Sequence, residues 1–149
     1  MFNSIQVADL RNSDSDRVDA DSDSDPNDGA PRNWREAGQL PTPLWFHGAA
    51  LVEDRMYVWG GCTANNNRSV NSRVYSAPVG KDGSIGEWKS ETPMPYPVYS
   101  CGYCGFNDHL ICIGGRYTEG LPTNAIWYSK VEKGTLTPWR MLKTDLDAR

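Results

Sequence analysis

Apolar residues in this chain fall in short runs separated by glycine, proline and acidic turns, and nowhere do they recur at helical spacing. The runs predict strands over 47–52, 55–60, 72–79 and around Trp88, and again near 99–106, 109–114, 124–132 and 136–141. Glu53-Asp54 reads as a tight turn, and Lys81-Asp82-Gly83-Ser84 as a hairpin turn. The first two strands of each set are apolar at nearly every position, so both of their faces are expected to be covered. Gly48, Ala49 and Ala50, matched by Gly102 and Gly105, suit a crowded inner edge. No helix longer than two turns is expected in 45–142.

The two sets are copies of one unit. Leu40-Pro41-Thr42-Pro43 recurs as Met94-Pro95-Tyr96-Pro97 at an offset of 54. Gly48 maps to Gly102, Asp54 to Asp108, and the run Met56 to Gly61 to the run Leu110 to Gly115, all at 54. Val74-Tyr75-Ser76 returns as Trp127-Tyr128-Ser129 at 53, while Trp34, Trp88 and Trp139 are spaced by 54 and 51.

A period near fifty, a doubled glycine closing the second strand and a tryptophan in the fourth resemble the kelch repeat of β-propellers. Gly60, Gly61, Tyr75 and Trp88 carry the resemblance in one repeat, and Gly114, Gly115, Tyr128 and Trp139 in the other. It covers about residues 34–142. The interval from tyrosine to tryptophan is wider than the usual kelch spacing, a form similar to bacterial kelch proteins, sialic-acid mutarotase relatives among them. The resemblance implies an all-β fold of two four-stranded antiparallel blades over about 45–90 and 97–142, with 143–149 as a tail. Trp34 opens an extra N-terminal outer strand of the same kind, without three strands before it. Propellers close with roughly four to eight blades. Two blades leave apolar end faces, so a homo-oligomer, or a longer propeller with additional kelch repeats, is expected.

Charge divides the chain near Asn33. Residues 1–33 hold eight of the 19 acids and three of the 15 bases, whereas all six tryptophans lie beyond them. Such a leader has too few apolar groups to offset the ordering of its backbone and is expected to be a solvated, disordered tail. The competing reading is calcium binding by Asp21, Asp23, Asp25 and Asp28. An EF-hand is excluded, because Pro26 and Arg32 stand where its glycine and glutamate belong. A formal charge of −4 argues against nucleic acid as a partner, and no apolar stretch is long enough to span a membrane as a helix.

Cys101-Gly-Tyr-Cys104 falls on a strand, where the two thiols point to opposite faces, so neither zinc nor redox chemistry is expected there. Buried reduced thiols are expected at 62, 101, 104 and 112, with Cys62 the most exposed, and they point to the cytoplasm. The two histidines, His47 and His109, match no ligand motif of the kelch copper oxidases. No cofactor, metal site or catalytic residue is therefore assigned. The remaining candidates lie in the loops after each doubled glycine: Asn65, Asn67 and Arg68 in one, Arg116, Tyr117 and Glu119 in the other. Two readings follow. In the first the chain is a noncatalytic interaction or structural module presenting these loops to a protein partner. In the second it is a carbohydrate-binding or sugar-mutarotase-like propeller of the sialic-acid type, whose arginines fork onto a sugar carboxylate.

Overall fold

A computed structural model describes residues 4–9, 32–63 and 69–142. The strands are β1 (Ser4–Asp9), β2 (Arg32–Gln39), β3 (Gly48–Val52), β4 (Arg55–Trp59), β5 (Val74–Pro78), β6 (Lys89–Ser90), β7 (Gly102–Phe106), β8 (His109–Ile113), β9 (Ile126–Glu132), β10 (Thr135–Leu136) and β11 (Arg140–Leu142). One short 3-10 turn, Thr118–Gly120, is the longest helical element among the described residues. The sheets run β1-β2, β3-β4-β5-β6 and β7-β8-β9, with β10 and β11 both on the outer edge of β9. All pairings are antiparallel. The fold is all-β, and each full sheet is a four-stranded blade. The outer strand expected at 136–141 is broken in two, because Pro138 has no N–H to give the ladder and Thr137 spends its side chain on Lys130 N at 3.1 Å.

The core lies between the blades. Val52, Tyr57, Trp59 and Val74 of one sheet meet Leu110, Cys112, Val131 and Trp139 of the other. Tyr103 is the lock of this interface. Its ring meets Trp59 edge-on, with centroids 5.6 Å apart at 87°, and its hydroxyl donates to Phe46 O at 3.1 Å. A methyl at Gly48 would stand 2.4 Å from that ring, and one at Gly105 2.8 Å from Ala50 Cβ. The small inner-strand residues are thus the space into which the next blade fits. A polar chain ties the outer half. Arg55 donates to Ser76 Oγ, Ser76 donates to Glu91 Oε1 at 2.6 Å, and Lys89 Nζ pairs with the same oxygen at 3.0 Å. The doubled glycines all sit at positive φ, between 60° and 94°, where a Cβ would strain the chain as it leaves the second strand.

Strand registers correct the repeat alignment in one place. Gly48 pairs with Trp59 as Gly102 pairs with Ile113, keeping the offset of 54. Tyr75, however, pairs with Val58, and Cys112 pairs with Trp127. Tyr75 is therefore equivalent to Trp127, one residue before Tyr128. The loop after the second strand is two residues shorter in the second repeat, and the sequence match had absorbed only one of them.

The leader also differs from expectation. Residues 1–33 were expected to be irregular, yet Ser4–Asp9 form β1 and pair with β2. Residues 10–31, including the candidate calcium aspartates from Asp21 to Asp28, lie outside the described residues. Gln6 pairs with Glu36 and Val7 with Arg35, as Tyr75 pairs with Ser90 and Ser76 with Lys89. With Trp34 aligned on Trp88 these are the same positions. So β1 and β2 are the third and fourth strands of a preceding blade, and the extra outer strand brings a partner with it. The contacts onto the next blade repeat as well. Trp88 Nε1 donates to Gln39 O at 2.7 Å, as Trp139 Nε1 does to Thr92 O at 3.1 Å. Arg35 donates to Asp82 O, as Lys89 does to Gly134 O. The one-residue difference in spacing from Trp34 to Gln39 is taken up by a bulge at Ala37.

Candidate functional site

The linker joining the two blades and the loop after the second doubled glycine come together at one end of the sheets. Tyr99 and Arg116 exchange both backbone hydrogen bonds at 3.0 Å, and Gly61 N donates to Val98 O at 2.8 Å. This fixes Tyr96 and Pro97 beside Tyr117. The resulting groove has a volume of about 590 Å³ and is lined by Tyr96, Pro97, Tyr117, Thr118, Trp127 and Met141. The Tyr96 ring centroid lies 5.8 Å from those of both Tyr117 and Trp127, tilted at 53° and 51°. Tyr96 is 55% exposed and Met141 51%, so the groove is apolar and open to solvent.

The candidates named from the sequence divide sharply. Tyr117 lines the groove, with its hydroxyl held by Thr123 Oγ1 at 3.1 Å. Arg116 and Glu119 are exposed beside it but do not line it. The Arg116 guanidinium donates to Gly120 O at 2.9 Å, which curls it over its own loop. Glu119 sits at φ 68° and shapes the turn. Asn65, Asn67 and Arg68 lie outside the described residues. Sequence reasoning missed Tyr96, Pro97, Trp127 and Met141. Tyr96-Pro97 belonged to a repeated Pro-x-Pro that read as a turn, and Trp127 was aligned one residue away from its structural place.

The repeat residues behave as their places dictate. Trp139 is 8% exposed in the core, whereas Trp88 is half-buried. The cysteine expectation needs correction: Cys62 is buried beside Gly61, and Cys104 is the exposed thiol. Cys62 is covered because its backbone bridges to Trp45 and Val70. The Cys101 thiol donates to Tyr99 O at 3.8 Å, and the neighbouring Cys112 holds Cys101 below its ordinary value. The nearby Cys101 thiol, together with burial, pushes Cys112 up. Burial lowers the His47 pKa, and its Nδ1 is buried without a hydrogen-bond partner. His109 pairs with Asp108 at 2.6 Å beside a turn. Among the described residues no three His, Cys, Asp or Glu side chains gather as metal ligands, and no helix is long and apolar enough to cross a membrane.

Four-stranded antiparallel sheets, each opening on a small-residue strand and stacked face to face with the next, are the blades of a β-propeller. The solved structure of YjhT superposes with a TM-score of 0.57 at 13% identity, over 72% of this chain and 34% of that one. Kelch repeat and BTB domain-containing protein 12 of Danio rerio is 29% identical over 90 residues, 59% of this chain and 14% of that protein. A kelch repeat-containing protein of Arabidopsis thaliana is 34% identical over 92 residues, 60% of this chain and 21% of that protein. Kelch-like protein 41 of Mus musculus is 24% identical over 100 residues, 67% of this chain and 16% of that protein. No protein-family model matches the chain. Repeat, register and relatives agree: the chain is built of kelch-type repeats and is similar to kelch-repeat proteins. It spans only 14–21% of the length of these three relatives.

Proposed function

We propose that the chain is a noncatalytic kelch interaction module that seats an apolar segment of a protein partner in the groove between Tyr96, Tyr117 and Trp127. The observation that carries this reading is the groove itself: three aromatic rings and an exposed methionine on a rigid blade pair, the composition of a protein-binding hot spot. Loops on a rigid scaffold lose little entropy when they bind. The exposed Leu51, Phe106 and Ile113, at 59%, 65% and 47%, support the covering of the blade faces by further kelch-type repeats or by copies of the chain. Four free thiols support a reducing compartment such as the cytoplasm.

The experiment is cross-linking from the groove, with a photoreactive residue in place of Thr118 and Tyr117→Ala as control. Capture of a defined protein that depends on Tyr117 supports the reading. Equal capture by Tyr117→Ala overturns it. One observation favours sugar as a second reading: exposed Arg116 is the chain neighbour of Tyr117, whose ring lines the aromatic groove. A glycan array combined with an NMR anomerisation assay separates the two. Binding of acidic sugars that is lost in Arg116→Ala replaces the first reading with the second.

A further inference from the structure

The aromatic groove carries more chemistry than its apolar surface alone. No ionisable carboxylate, amine, guanidinium or imidazole lines it. What its three aromatic residues offer is hydrogen-bond donors. Thr123 Oγ1 accepts from Ala125 N at 3.1 Å and donates to the Tyr117 hydroxyl at 3.1 Å, so the Tyr117 proton is left to point away from its own loop. Among the described residues neither the Tyr96 hydroxyl nor Trp127 Nε1 has a hydrogen-bond partner, and neither atom is buried. Both ring pairs are tilted, at 53° and 51°, and not stacked, so each opens as a furrow beside Tyr96. The backbone at the groove is already spent, because Tyr99 and Arg116 bond to each other, so no sheet edge is left there for an incoming strand. A helix keeps its carbonyls in its own ladder. A polyproline II segment has no internal hydrogen bonds and leaves every carbonyl free, while its prolines bring flat apolar rings and no N–H.

We propose that the occupant of the groove is a proline-rich segment of a protein partner in the polyproline II conformation, which rests on the groove being a protein-binding site. Its pyrrolidine rings lie against Tyr96, Tyr117 and Trp127, and its carbonyls accept from the two hydroxyls and from Trp127 Nε1. The match is one of charge as well as shape: partially positive donors meet partially negative carbonyls, and the uncharged lining leaves no ion unpaired when water is expelled. A methylated ammonium, the other ligand of aromatic clusters, gains nothing here from a carboxylate, since exposed Glu119 does not line the groove. Both sides are preformed. Polyproline II is populated before binding, and Tyr117 and Trp127 are packed against the core between the blades, so little conformational freedom is lost.

The full chain, isotope-labelled for NMR, tests this by titration with an oligoproline peptide, the Trp127 indole signal being assigned from its loss in Trp127→Phe. That N–H should shift saturably as peptide is added. Tyr96→Phe removes one donor and should weaken binding by about threefold to tenfold, with the thermal melt unchanged because that hydroxyl bonds nothing within the chain. Tyr96→Ala also removes the ring and should weaken binding by more than about tenfold. An amphipathic leucine–lysine helix and a trimethyllysine peptide are the comparison probes, and neither should move the Trp127 signal. No shift at Trp127, equal affinity in Tyr96→Phe and Tyr96→Ala, or tighter binding of either comparison peptide overturns the proposal. If oligoproline fails while the cross-linker at Thr118 still captures a protein that depends on Tyr117, the groove stands and its ligand class is wrong. Failure of both removes the groove as a protein site.

Discussion

Replacing Gly48 with alanine isolates the contact that holds the two blades together. Gly48 has an ordinary backbone conformation, so alanine costs nothing in φ and ψ, and the effect is steric. The added methyl would lie 2.4 Å from Tyr103 Cδ1 and 2.5 Å from Cγ, well inside contact distance, so either the ring or β3 must move. Overpacking of this kind costs about 1–3 kcal/mol. At the size of this chain about 2 kcal/mol lowers the melting temperature by roughly 4–8 °C. Tyr103→Ala loses the edge-on contact with Trp59 and the bond to Phe46 O, together about 1–3 kcal/mol. In the double variant the clash is gone, and Gly48→Ala should then be neutral or stabilising. Thermal and urea melts of the four proteins give a coupling energy of at least about 1 kcal/mol. If Gly48→Ala costs the same with and without Tyr103, the ring does not fill that space and the interface has been misread.

Trp139→Ala should destabilise by about 3–5 kcal/mol, since that ring is in the core, and half-buried Trp88 should cost clearly less; equal losses in urea melts would contradict the difference in burial. Iodoacetamide under native conditions should modify Cys104 first and leave Cys62 and Cys112 protected, with peptide mass spectrometry as the readout. Modification of Cys62 first would show that the loop after Gly61 is open. The His47 pKa is depressed in the folded chain, so the unfolded state binds the proton more readily. Stability should hold above about pH 6.5 and fall as the pH drops toward the folded value, less so in His47→Gln; a melt that stays flat from pH 7 to 5, or the same fall in His47→Gln, would mean that His47 takes up its proton without cost.

Local chemistry was enough to read the blades. Doubled glycines at positive φ, a turn at Glu53-Asp54 and apolar runs bounded by proline are short-range constraints, and they placed β3, β4 and β8 to within one residue and β7 to within three. The stacking was legible too, because an inner strand as small as Gly48-Ala49-Ala50 serves only where a neighbour comes close. The half-blade was not. β1 lacks the aromatic residue that marks β5 and β9, and an aspartate-rich stretch separates it from Trp34, so only hydrogen-bond register shows that Gln6 stands where Tyr75 does. The same holds for the groove. Tyr96, Tyr117, Trp127 and Met141 come from four separate segments, and each reads alone as a turn, a loop or a core residue. Their convergence depends on the backbone exchange between Tyr99 and Arg116, a contact between residues far apart in the chain. A sequence period counts residues, whereas a sheet counts hydrogen-bonded pairs. Where a loop shortens by two residues the counts part, and Tyr75 finds its counterpart in Trp127, not Tyr128.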